Sequence, residues 1–441
     1  MKYRSYSLAI IVNFAIIIAS LFFSSITELR IISIIQLIFN SYYLIKGNSK
    51  FVSVGLVFFW LLSLFHCSRL VLLEDYGFDM MDQQVLTLSY KLVICCLSSL
   101  CAGYFIIRSN NRTLDVSTSV VDLSDRDLRL LRKVSGYIFF LTLIPFLYVD
   151  ITRLFYTMTF GYSGIYSLGE RDLLFRYFDP ISHLFRPAVI TLMVSYCRTP
   201  KVATRILITF CVYSLLMMFS GARITAIVYI LSIVVVYVRF ILIRFKKSQF
   251  IIITIAAFLV FTILPVISSM RQMGVSREAY QEASGMVQSA GGNFTSAITE
   301  FGGSQLNVIY SIAFTNQFNY GKTYLASLWC ISPKMPSFLD KTNLTYTRTF
   351  PNDITWGGSC IGEAYYNFGW LSIFFFLIVG LLVGKLEHVL CRVSRRNLLT
   401  SIFCLVLIPG LFTWVRDFFM IFVFTGFWIP VIFQFVMGKR R

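Results

Sequence analysis

Charged residues are scarce in this sequence. Asp, Glu, Lys and Arg make up only 14% of its 441 residues, whereas 57% are hydrophobic and the mean hydropathy is +0.74. A soluble domain carries about 25% charged residues, so the composition excludes an ordinary soluble enzyme. Apolar runs close to the roughly 20 residues needed to cross a bilayer recur throughout the chain. The composition therefore indicates an all-α polytopic membrane protein.

Acidic residues and histidine are scarcer still. There are 21 Asp and Glu against 39 Lys and Arg, and 3 His, which gives a net charge of +18. The basic residues lie mostly in short loops between apolar runs, so the excess indicates membrane topology and contact with anionic membrane lipids. We expect no nucleic-acid partner. No cluster of Cys and His has the spacing of a metal site, and we expect neither a metal nor another cofactor.

Twelve apolar segments are candidate transmembrane helices within a single integral membrane domain, residues 1–441. The sixth segment is the shortest. The twelve predicted segments are 8–26, 29–45, 51–73, 85–107, 134–150, 187–197, 206–220, 224–243, 249–269, 369–384, 398–413 and 418–437.

The short loops predict the orientation in the membrane. With the N-terminus inside, the inner segments hold 23 Lys and Arg residues and the four short outer segments hold three. Outer segment 74–84 has four acidic residues and no basic one. Positive residues in short loops stay on the cytoplasmic side, so both termini are predicted to be cytoplasmic.

Two predicted outer segments, 151–186 and 270–356, are much longer than the others. Loops beyond about 12–15 residues are usually functional or disordered. The aromatic residues and helical patterning of these segments favour folded loops with short helices. The function is therefore expected at the outer face.

The first long segment contains nearly all of the stretch GYSGIYSLGERDLLFRYFDPISHLFRP, residues 161–187, which is rich in charges and aromatic rings. On a helix from residue 168, Asp172 and Arg176 would lie four apart on one face, as would Asp179 and His183 if the break at Pro180 permits. An interfacial amphipathic helix and a binding site for an anionic ligand both explain this composition. Its charged residues and histidine are Glu170, Arg171, Asp172, Arg176, Asp179, His183 and Arg186.

Arginines also occur at outer positions that the orientation rule disfavours. Arg223 closes the turn SGAR, residues 220–223, between the seventh and eighth spans. It either extends from a helix end to the membrane surface or binds a diphosphate with two hydrogen bonds. Arg271 and Arg277 follow the ninth span, and arginines at such a membrane exit are common.

The second long segment leads into WGGSCIGEAYYNFGW, residues 356–370, at the entrance of the tenth span. Glu363 and Asn367 are four residues apart, so in a helix both face the same direction. The carboxylate would be favourable in a first helical turn, and the glycines would suit turns and close packing. Alternatively, the glycines let the backbone approach a bulky ligand. Arg348 and Asp353 precede this stretch.

Together these features resemble the Wzy-type O-antigen polymerases, also called oligosaccharide repeat-unit polymerases. The pattern GGS…GE…YNFGW within residues 357–370 carries the resemblance most specifically, followed by SGARITA, residues 220–226. The resemblance implies a bacterial inner-membrane glycosyltransferase with a GT-C-like fold and two large periplasmic loops. Such enzymes use undecaprenyl-diphosphate-linked oligosaccharides as donor and acceptor. A chain-length regulator protein is a further candidate partner.

The resemblance also implies roles for individual residues. Arginines of the periplasmic loops would stabilise the departing diphosphate. Glu363 or Glu170 would take the proton of the attacking sugar hydroxyl, while Asn367 and Tyr366 would contact the sugar, with Tyr365, Trp356 and Trp370 as further stacking rings. The arginines at matching positions are Arg171, Arg176, Arg223, Arg271, Arg277 and Arg348.

Two other functions stay open at this point. Arg69 and Lys91 lie within predicted spans, where charges are often functional, and this favours a lipid-linked oligosaccharide flippase or another transporter. Such a protein has little need for a segment as long as 270–356. The related O-antigen ligase, which transfers the finished chain to lipid A core, is the second alternative.

Overall fold

A computed structural model of the chain describes most of its residues. Contacts within the chain divide it into two compact units, of which unit 1 is Met1–Thr118, Phe301–Cys391 and Gly410–Phe427, and unit 2 is Ser119–Glu300, Arg392–Pro409 and Trp428–Arg441. The residues that the structure describes are 2–46, 52–72, 82–110, 120–160, 172–220, 223–242, 281, 285, 298, 301–332, 334–339, 342, 344–350 and 357–438.

Helices dominate the described residues. In chain order the α-helices are α1 (Lys2–Phe22), α2 (Ile26–Lys46), α3 (Val54–Leu72), α4 (Gln83–Asn110), α5 (Asp125–Phe160), α6 (Leu173–Ser182), α7 (Phe185–Ser195), α8 (Pro200–Met217), α9 (Arg223–Phe240), α10 (Ser304–Phe314), α11 (Lys322–Ser327), α12 (Cys360–Phe368), α13 (Ser372–Val389), α14 (Leu398–Trp414), α15 (Phe419–Phe422) and α16 (Ile429–Gly438). The 3₁₀ segments are Met218–Ser220, Ser337–Leu339, Tyr346–Thr349, Gly369–Leu371 and Arg395–Asn397, and Val423–Trp428 is a π-helix.

Seven stretches of helix are long and apolar enough to cross a membrane, and three shorter helices are also apolar. They coincide with all the predicted segments except the sixth, which is the 11-residue helix α7, and the ninth, 249–269, which lies outside the described residues. An all-α multi-pass membrane protein is thus confirmed, while the count of twelve spans and the GT-C-like fold remain predictions. The seven are Ile26–Lys46, Val54–Leu72, Gln83–Asn110, Asp125–Phe160, Pro200–Met217, Cys360–Val389 and Arg395–Trp414, and the three are Tyr6–Phe22, Thr225–Phe240 and Phe419–Ile432.

In unit 1 the most extensive helix contact joins α4 to α13. Two glycines make this contact possible. A Cβ atom at Gly103 would overlap the carbonyl oxygen of Leu377, and a Cβ atom at Gly380 would overlap the carbonyl oxygen of Leu100. Small residues let helix backbones approach in this way in membranes, where packing contributes more to association than hydrophobic burial does.

Helix α10, from the second long segment of the sequence, packs into the same bundle. Leu306 and Ile309 of α10 join a buried apolar cluster with residues of α1 to α4. The Gln305 amide donates to the Ser89 hydroxyl at 2.9 Å. Part of the segment predicted as an outer loop therefore belongs to the core of unit 1.

Unit 2 is organised around α5. Its 36 residues span about 54 Å at 1.5 Å per residue, well beyond the roughly 30 Å of a hydrocarbon layer. The helix continues past residue 150, where a loop was predicted, to Phe160, and α6 begins at Leu173. Phe146 of α5 stacks on Phe185 of α7 with ring centroids 4.0 Å apart.

A small parallel sheet also belongs to unit 2. Strand β1 (Val120–Asp122) pairs in parallel with β2 (Arg392–Ser394), with Val121 opposite Val393. The Arg392 guanidinium lies 3.3 Å from the carboxylate of Asp122. These strands are a short addition to the predicted all-α architecture.

The close contact between α4 and α13 is testable by adding one methyl group. Gly103→Ala and Gly380→Ala are each expected to lower the free energy of unfolding by about 1–3 kcal/mol, the usual cost of overpacking, because the methyl group meets a backbone carbonyl. Thermal unfolding of the purified protein in detergent measures this as a lower midpoint.

Gly136→Ala is the matched control, because a Cβ atom there meets no described atom within 4 Å. It is expected to leave the midpoint unchanged or slightly raised. Equal midpoints for all three variants would contradict the packing described for α4 and α13.

Candidate functional site

The first turn of α12 is held by a serine and a histidine from another helix of unit 1. Ser359 is the N-cap residue, and its hydroxyl accepts from the backbone N–H of Gly362 at 3.1 Å. The Nε2 atom of His66 lies 2.8 Å from the same hydroxyl, and His66 Nδ1 lies 3.0 Å from the carbonyl of Leu62. Since a carbonyl only accepts, Nδ1 carries the proton and the Ser359 hydroxyl donates to Nε2.

Glu363 lies one turn further along α12 and has no exposed surface. Its Oε1 atom accepts from the Thr323 hydroxyl at 3.0 Å, and its Oε2 atom accepts from the backbone N–H of Phe419 at 2.7 Å. Within the described part of the chain the carboxylate forms no ion pair. Three elements, α11, α12 and the start of α15, therefore meet at one buried carboxylate.

Asn367 faces the same side of α12 as Glu363, as their four-residue spacing predicts. Its amide donates to the Thr323 hydroxyl at 2.7 Å and to the Glu363 carbonyl at 2.8 Å. Its Oδ1 atom accepts from the backbone N–H of Thr323 at 3.4 Å. Asn367 is fully buried, so it holds Thr323 against Glu363 and presents no polar atom to a ligand.

The chain just before α11 wraps the C-terminal end of α12. Backbone N–H groups of Asn319 and Tyr320 donate to the carbonyls of Tyr366 and Asn367 at 3.2 and 2.9 Å. Tyr320 adopts a left-handed backbone, with φ 47°, which is uncommon for residues other than glycine. The residue is 78% exposed, so its backbone is held by hydrogen bonds while its surface faces solvent.

Gly358, just before α12, and Gly362, within α12, lie very close to neighbouring backbone and side chains. A Cβ atom at Gly358 would lie 2.6 Å from the carbonyl carbon of Asp417. A Cβ atom at Gly362 would lie 2.7 Å from the Tyr346 hydroxyl and 3.0 Å from the carbonyl of Asn307. These positions therefore serve close packing of α12 against its neighbours.

A second acid, Asp417, lies beside this site in the turn before α15. Its side chain is half-buried, and its Oδ1 atom accepts from the backbone N–H of Phe418 at 3.1 Å. Burial raises the pKa of Asp417 to about 6, although the Phe418 N–H and the charge of Arg416 act in the opposite direction. The site thus concentrates two acids near the start of α12.

The aromatic rings of residues 356–370 lie in different environments. Tyr365 is 9% exposed and packs edge-on against Phe318 and Trp370. Tyr366 is half-buried, with its ring centroid 5.4 Å from that of Tyr346. Trp370 is 37% exposed. Trp356 lies outside the described residues.

The predicted arginines are placed only in part. Arg176 is exposed on α6, and Arg223 is the first residue of α9. Arg348 lies in the 3₁₀ segment Tyr346–Thr349. The side-chain positions of Arg223 and Arg348 are not among those described. Predicted residues that lie wholly outside the described part are Glu170, Arg171, Arg271, Arg277 and Asp353.

The acidic residues Asp172 and Asp179 of the first long segment both bind partners on the neighbouring helix α5. Asp172 is the N-cap of α6, where its carboxylate accepts from the Phe175 N–H at 3.1 Å and from the Tyr148 hydroxyl at 2.7 Å. These two hydrogen bonds lower the pKa of Asp172.

His183, four residues after Asp179, is the C-cap residue of α6. Asp179 forms an ion pair with Arg153 of α5 at 2.7 Å. Both acids of this segment therefore contact α5, which spacing along one helix does not predict.

Sequence reasoning did not identify the partners that fix Glu363. Thr323 and Phe419 lie 40 and 56 residues from it in the chain, and no local pattern links them. Ser359 was identifiable, because a serine just before an apolar helical run is a typical N-cap. His66 carries a signal as a polar residue within a predicted span.

Chemically, the site holds a carboxylate in one orientation with two neutral donors. Removing an ionised carboxylate from water costs several kcal/mol of free energy. The two hydrogen bonds to Glu363 offset part of this cost. Because Glu363 has no exposed surface, a substrate proton reaches it only when the packing around it opens. The arrangement suits either a rigid structural link or a base that is exposed by movement of α11 or α15.

Comparison with known proteins gives one match. The sequence model of the family described as O-antigen polysaccharide polymerase Wzy matches residues 5–437. No curated protein and no solved structure matches the chain. The family match covers nearly the whole chain and includes both long segments, 151–186 and 270–356.

The link at Glu363 predicts different effects for two substitutions. Glu363→Ala leaves a buried N–H and a buried hydroxyl without their acceptor, and is expected to lower the free energy of unfolding by about 2–4 kcal/mol. Glu363→Gln keeps an oxygen for the Phe419 N–H and an amide that donates to Thr323, so it is expected to cost less than half of this. Chemical denaturation in detergent measures both values.

Glu28→Ala is the control, because Glu28 is an exposed acid of the same unit. It is expected to change the free energy by less than about 1 kcal/mol. If Glu363→Ala were as stable as this control, the buried carboxylate would not hold the three elements together.

Proposed function

The chain belongs to the O-antigen polysaccharide polymerase Wzy family, and we propose that it lengthens a polysaccharide at the outer face of the bacterial inner membrane. The family implies a glycosyltransferase-type polymerase. In the proposed reaction the growing chain leaves undecaprenyl diphosphate and joins the terminal sugar of one new repeat unit, itself linked to undecaprenyl diphosphate. The observation that carries the proposal is the family match over residues 5–437.

The proposed orientation places both termini in the cytoplasm. It rests on the 23 Lys and Arg residues of the inner segments, against three in the short outer ones. The long segments 151–186 and 270–356 then face the periplasm. A multi-pass helical protein suits this substrate, because a polyprenyl chain stays in the bilayer while its sugars react at the surface.

The proposed chemistry is a single displacement at the anomeric carbon of the donor sugar. The bond from this carbon to the diphosphate oxygen breaks, and a bond to the hydroxyl oxygen of the acceptor sugar forms. The hydroxyl proton passes to a carboxylate base, and the diphosphate leaves with the bonding electrons. Negative charge thus develops on the leaving group, which fixed guanidinium groups stabilise.

We assign the guanidinium role to Arg223 and to the arginines of the long segments. Arg223 begins α9, so it lies at the positive end of a helix, where anions are favoured. Arg176 is exposed on α6 and is free to approach a membrane-bound substrate. The other proposed arginines are Arg171, Arg271, Arg277 and Arg348.

For the base we propose Glu363, with Glu170 as the alternative. Support for Glu363 comes from its burial without an ion pair among the described residues, since buried charges are expensive and often functional. Asn367 is then a positioning residue, because its amide holds Thr323 and the Glu363 backbone. Tyr366, which is half-buried, is the proposed contact for a sugar ring.

Reconstitution tests the reaction. The purified protein in liposomes, given undecaprenyl-diphosphate-linked repeat units and no nucleotide sugars, is expected to form a ladder of longer chains on a gel. Arg223→Gln and Arg171→Gln are expected to slow chain growth by roughly 10²–10³-fold, the effect of losing a charge-stabilising donor.

The exposed Arg129 of the predicted inner segment supplies the control, and Arg129→Gln is expected to grow chains at the normal rate. Movement of repeat units across the bilayer without growth would indicate a flippase. Transfer of a repeat unit to added lipid A core without growth would indicate a ligase. Either result contradicts the proposal.

The identity of the base is tested by comparing Glu363→Gln with Glu170→Gln. Loss of the base is expected to lower the rate of chain growth by about 10²–10⁴-fold while the variant stays folded and still binds substrate. Single-turnover assays with the lipid-linked repeat unit measure the rate, and thermal unfolding checks the fold. A normal rate for Glu363→Gln would assign Glu363 to structure alone, and a normal rate for both would exclude both carboxylates.

A further inference from the structure

Unit 2 contains a cleft of ≈ 360 Å³, counting the part open to solvent. The walls come from α5, α7, α8 and α9, and two of these, α5 and α8, are long and apolar enough to cross a membrane. The polar lining includes Asp150, Arg153, Arg186, Tyr213, Ser220 and Thr225. Ionisable groups between spanning helices mark functional sites more often than structural ones.

Arg186 of α7 is held in this cleft by an aromatic ring. Its guanidinium carbon lies 3.6 Å from the centroid of Tyr229 and 5.5 Å from that of Phe146. Among the described residues it forms no hydrogen bond and no ion pair. The other arginine of the cleft, Arg153, is already paired with Asp179 at 2.7 Å. Stacking on Tyr229 fixes the plane of Arg186 and leaves its edge of N–H donors available.

Asp150 of α5 supplies an acceptor to the same cleft. It is 7% exposed, and its Oδ2 atom accepts from the Tyr213 hydroxyl at 3.0 Å. No described residue donates to its other oxygen. Asp150 and Arg186 line one cleft, and no ion pair joins them among the described residues. The cleft therefore holds a cation and an acceptor, each with capacity for a ligand.

The neighbouring histidine adds no charge. Burial lowers the pKa of His183 to about 4, with Arg186 and Arg153 acting in the same direction and Asp179 opposing them. At neutral pH the imidazole is uncharged. Arg186 is thus the unpaired cation available to a ligand among the described lining residues.

We propose that this cleft binds the glycosyl phosphate end of a lipid-linked sugar, with Arg186 contacting phosphate oxygens and Asp150 accepting from a sugar hydroxyl. The inference rests on the proposed function and adds the site that takes its substrate. A planar guanidinium and a phosphate form two parallel hydrogen bonds. A partly desolvated carboxylate is a strong acceptor for a hydroxyl. Ser220 and Thr225 lie beside Arg223 in sequence and continue the polar lining.

The position of the cleft fits a substrate delivered from the bilayer. Asp150 and Arg153 lie in the C-terminal part of α5, and Ser220 and Thr225 lie at the turn between α8 and α9. In the orientation that the charge pattern predicts, these helix ends face outward. The phosphate of a phospholipid headgroup has related chemistry, so the experiment must separate the two sources.

Binding measurements on the whole protein test the proposal. The chain is placed in phosphatidylcholine nanodiscs and titrated with undecaprenyl diphosphate, with undecaprenyl-diphosphoryl-N-acetylglucosamine, and with phosphatidylglycerol. Arg186→Gln is expected to weaken binding of both undecaprenyl ligands about tenfold or more. Asp150→Asn is expected to weaken only the glycosylated ligand, since only that ligand brings a hydroxyl to the carboxylate.

Arg205→Gln is the matched control, because Arg205 is an exposed arginine of α8 that does not line the cleft. It is expected to bind all ligands as the unmodified protein does. Unchanged affinity of Arg186→Gln for undecaprenyl diphosphate would overturn the proposal. An equal loss of phosphatidylglycerol binding would also overturn it, because the cleft would then be a general headgroup site.

A second measurement needs no variant at Arg186 and so does not depend on its folding. In the unmodified protein, saturating undecaprenyl diphosphate is expected to slow the reaction of Arg186 with phenylglyoxal at least threefold, with Arg205 reacting at an unchanged rate, as followed by peptide mass spectrometry. An unchanged rate at Arg186 would overturn the proposal.

The binding data also separate this inference from the proposed function. Binding that depends on Arg186 in a protein that grows no chains would support the cleft and contradict polymerisation. Chain growth with binding independent of Arg186 would overturn the cleft alone.

Discussion

The buried carboxylate of Glu363 is the constraint on which the local arrangement of unit 1 depends. A charge-bearing group without water must receive hydrogen bonds from the protein, and here they come from Thr323 and from the Phe419 N–H. Both partners are distant in sequence, so the chain must bring α11 and α15 to α12. Gly358 and Gly362 permit the close approaches that this requires. These two glycines carry no functional group, yet the close packing that they permit helps to determine where Glu363 lies.

The two units offer different chemistry. Unit 1 concentrates acids and hydroxyls around α12, namely Glu363, Asp417, Thr323 and Ser359. Unit 2 holds arginines against aromatic rings, as Arg186 lies over Tyr229 and Arg153 over Phe175. Each unit thus has its own distinct set of polar side chains.

Much of the fold was predictable from the sequence, because hydropathy and length identify apolar helices almost directly. The shared direction of Glu363 and Asn367 also followed from their spacing. Pairs between helices were not predictable: Asp179 pairs with Arg153 of α5, a partner that spacing along α6 does not indicate. Spacing along one helix gives no information about a neighbouring helix, and the competition between partners is decided by packing. The same limit applies to Thr323 and to the cleft around Arg186.

The pairing of β1 with β2 has a consequence for how the protein is made. Asp122 and Arg392, which close this small sheet, are 270 residues apart in the chain. At a synthesis rate of about 5–20 residues per second, the first strand leaves the ribosome roughly 14–54 s before its partner. Unit 2 thus has to remain unfinished while most of the other helices enter the bilayer. Its completion is a late step of biogenesis, after insertion of nearly the entire polypeptide.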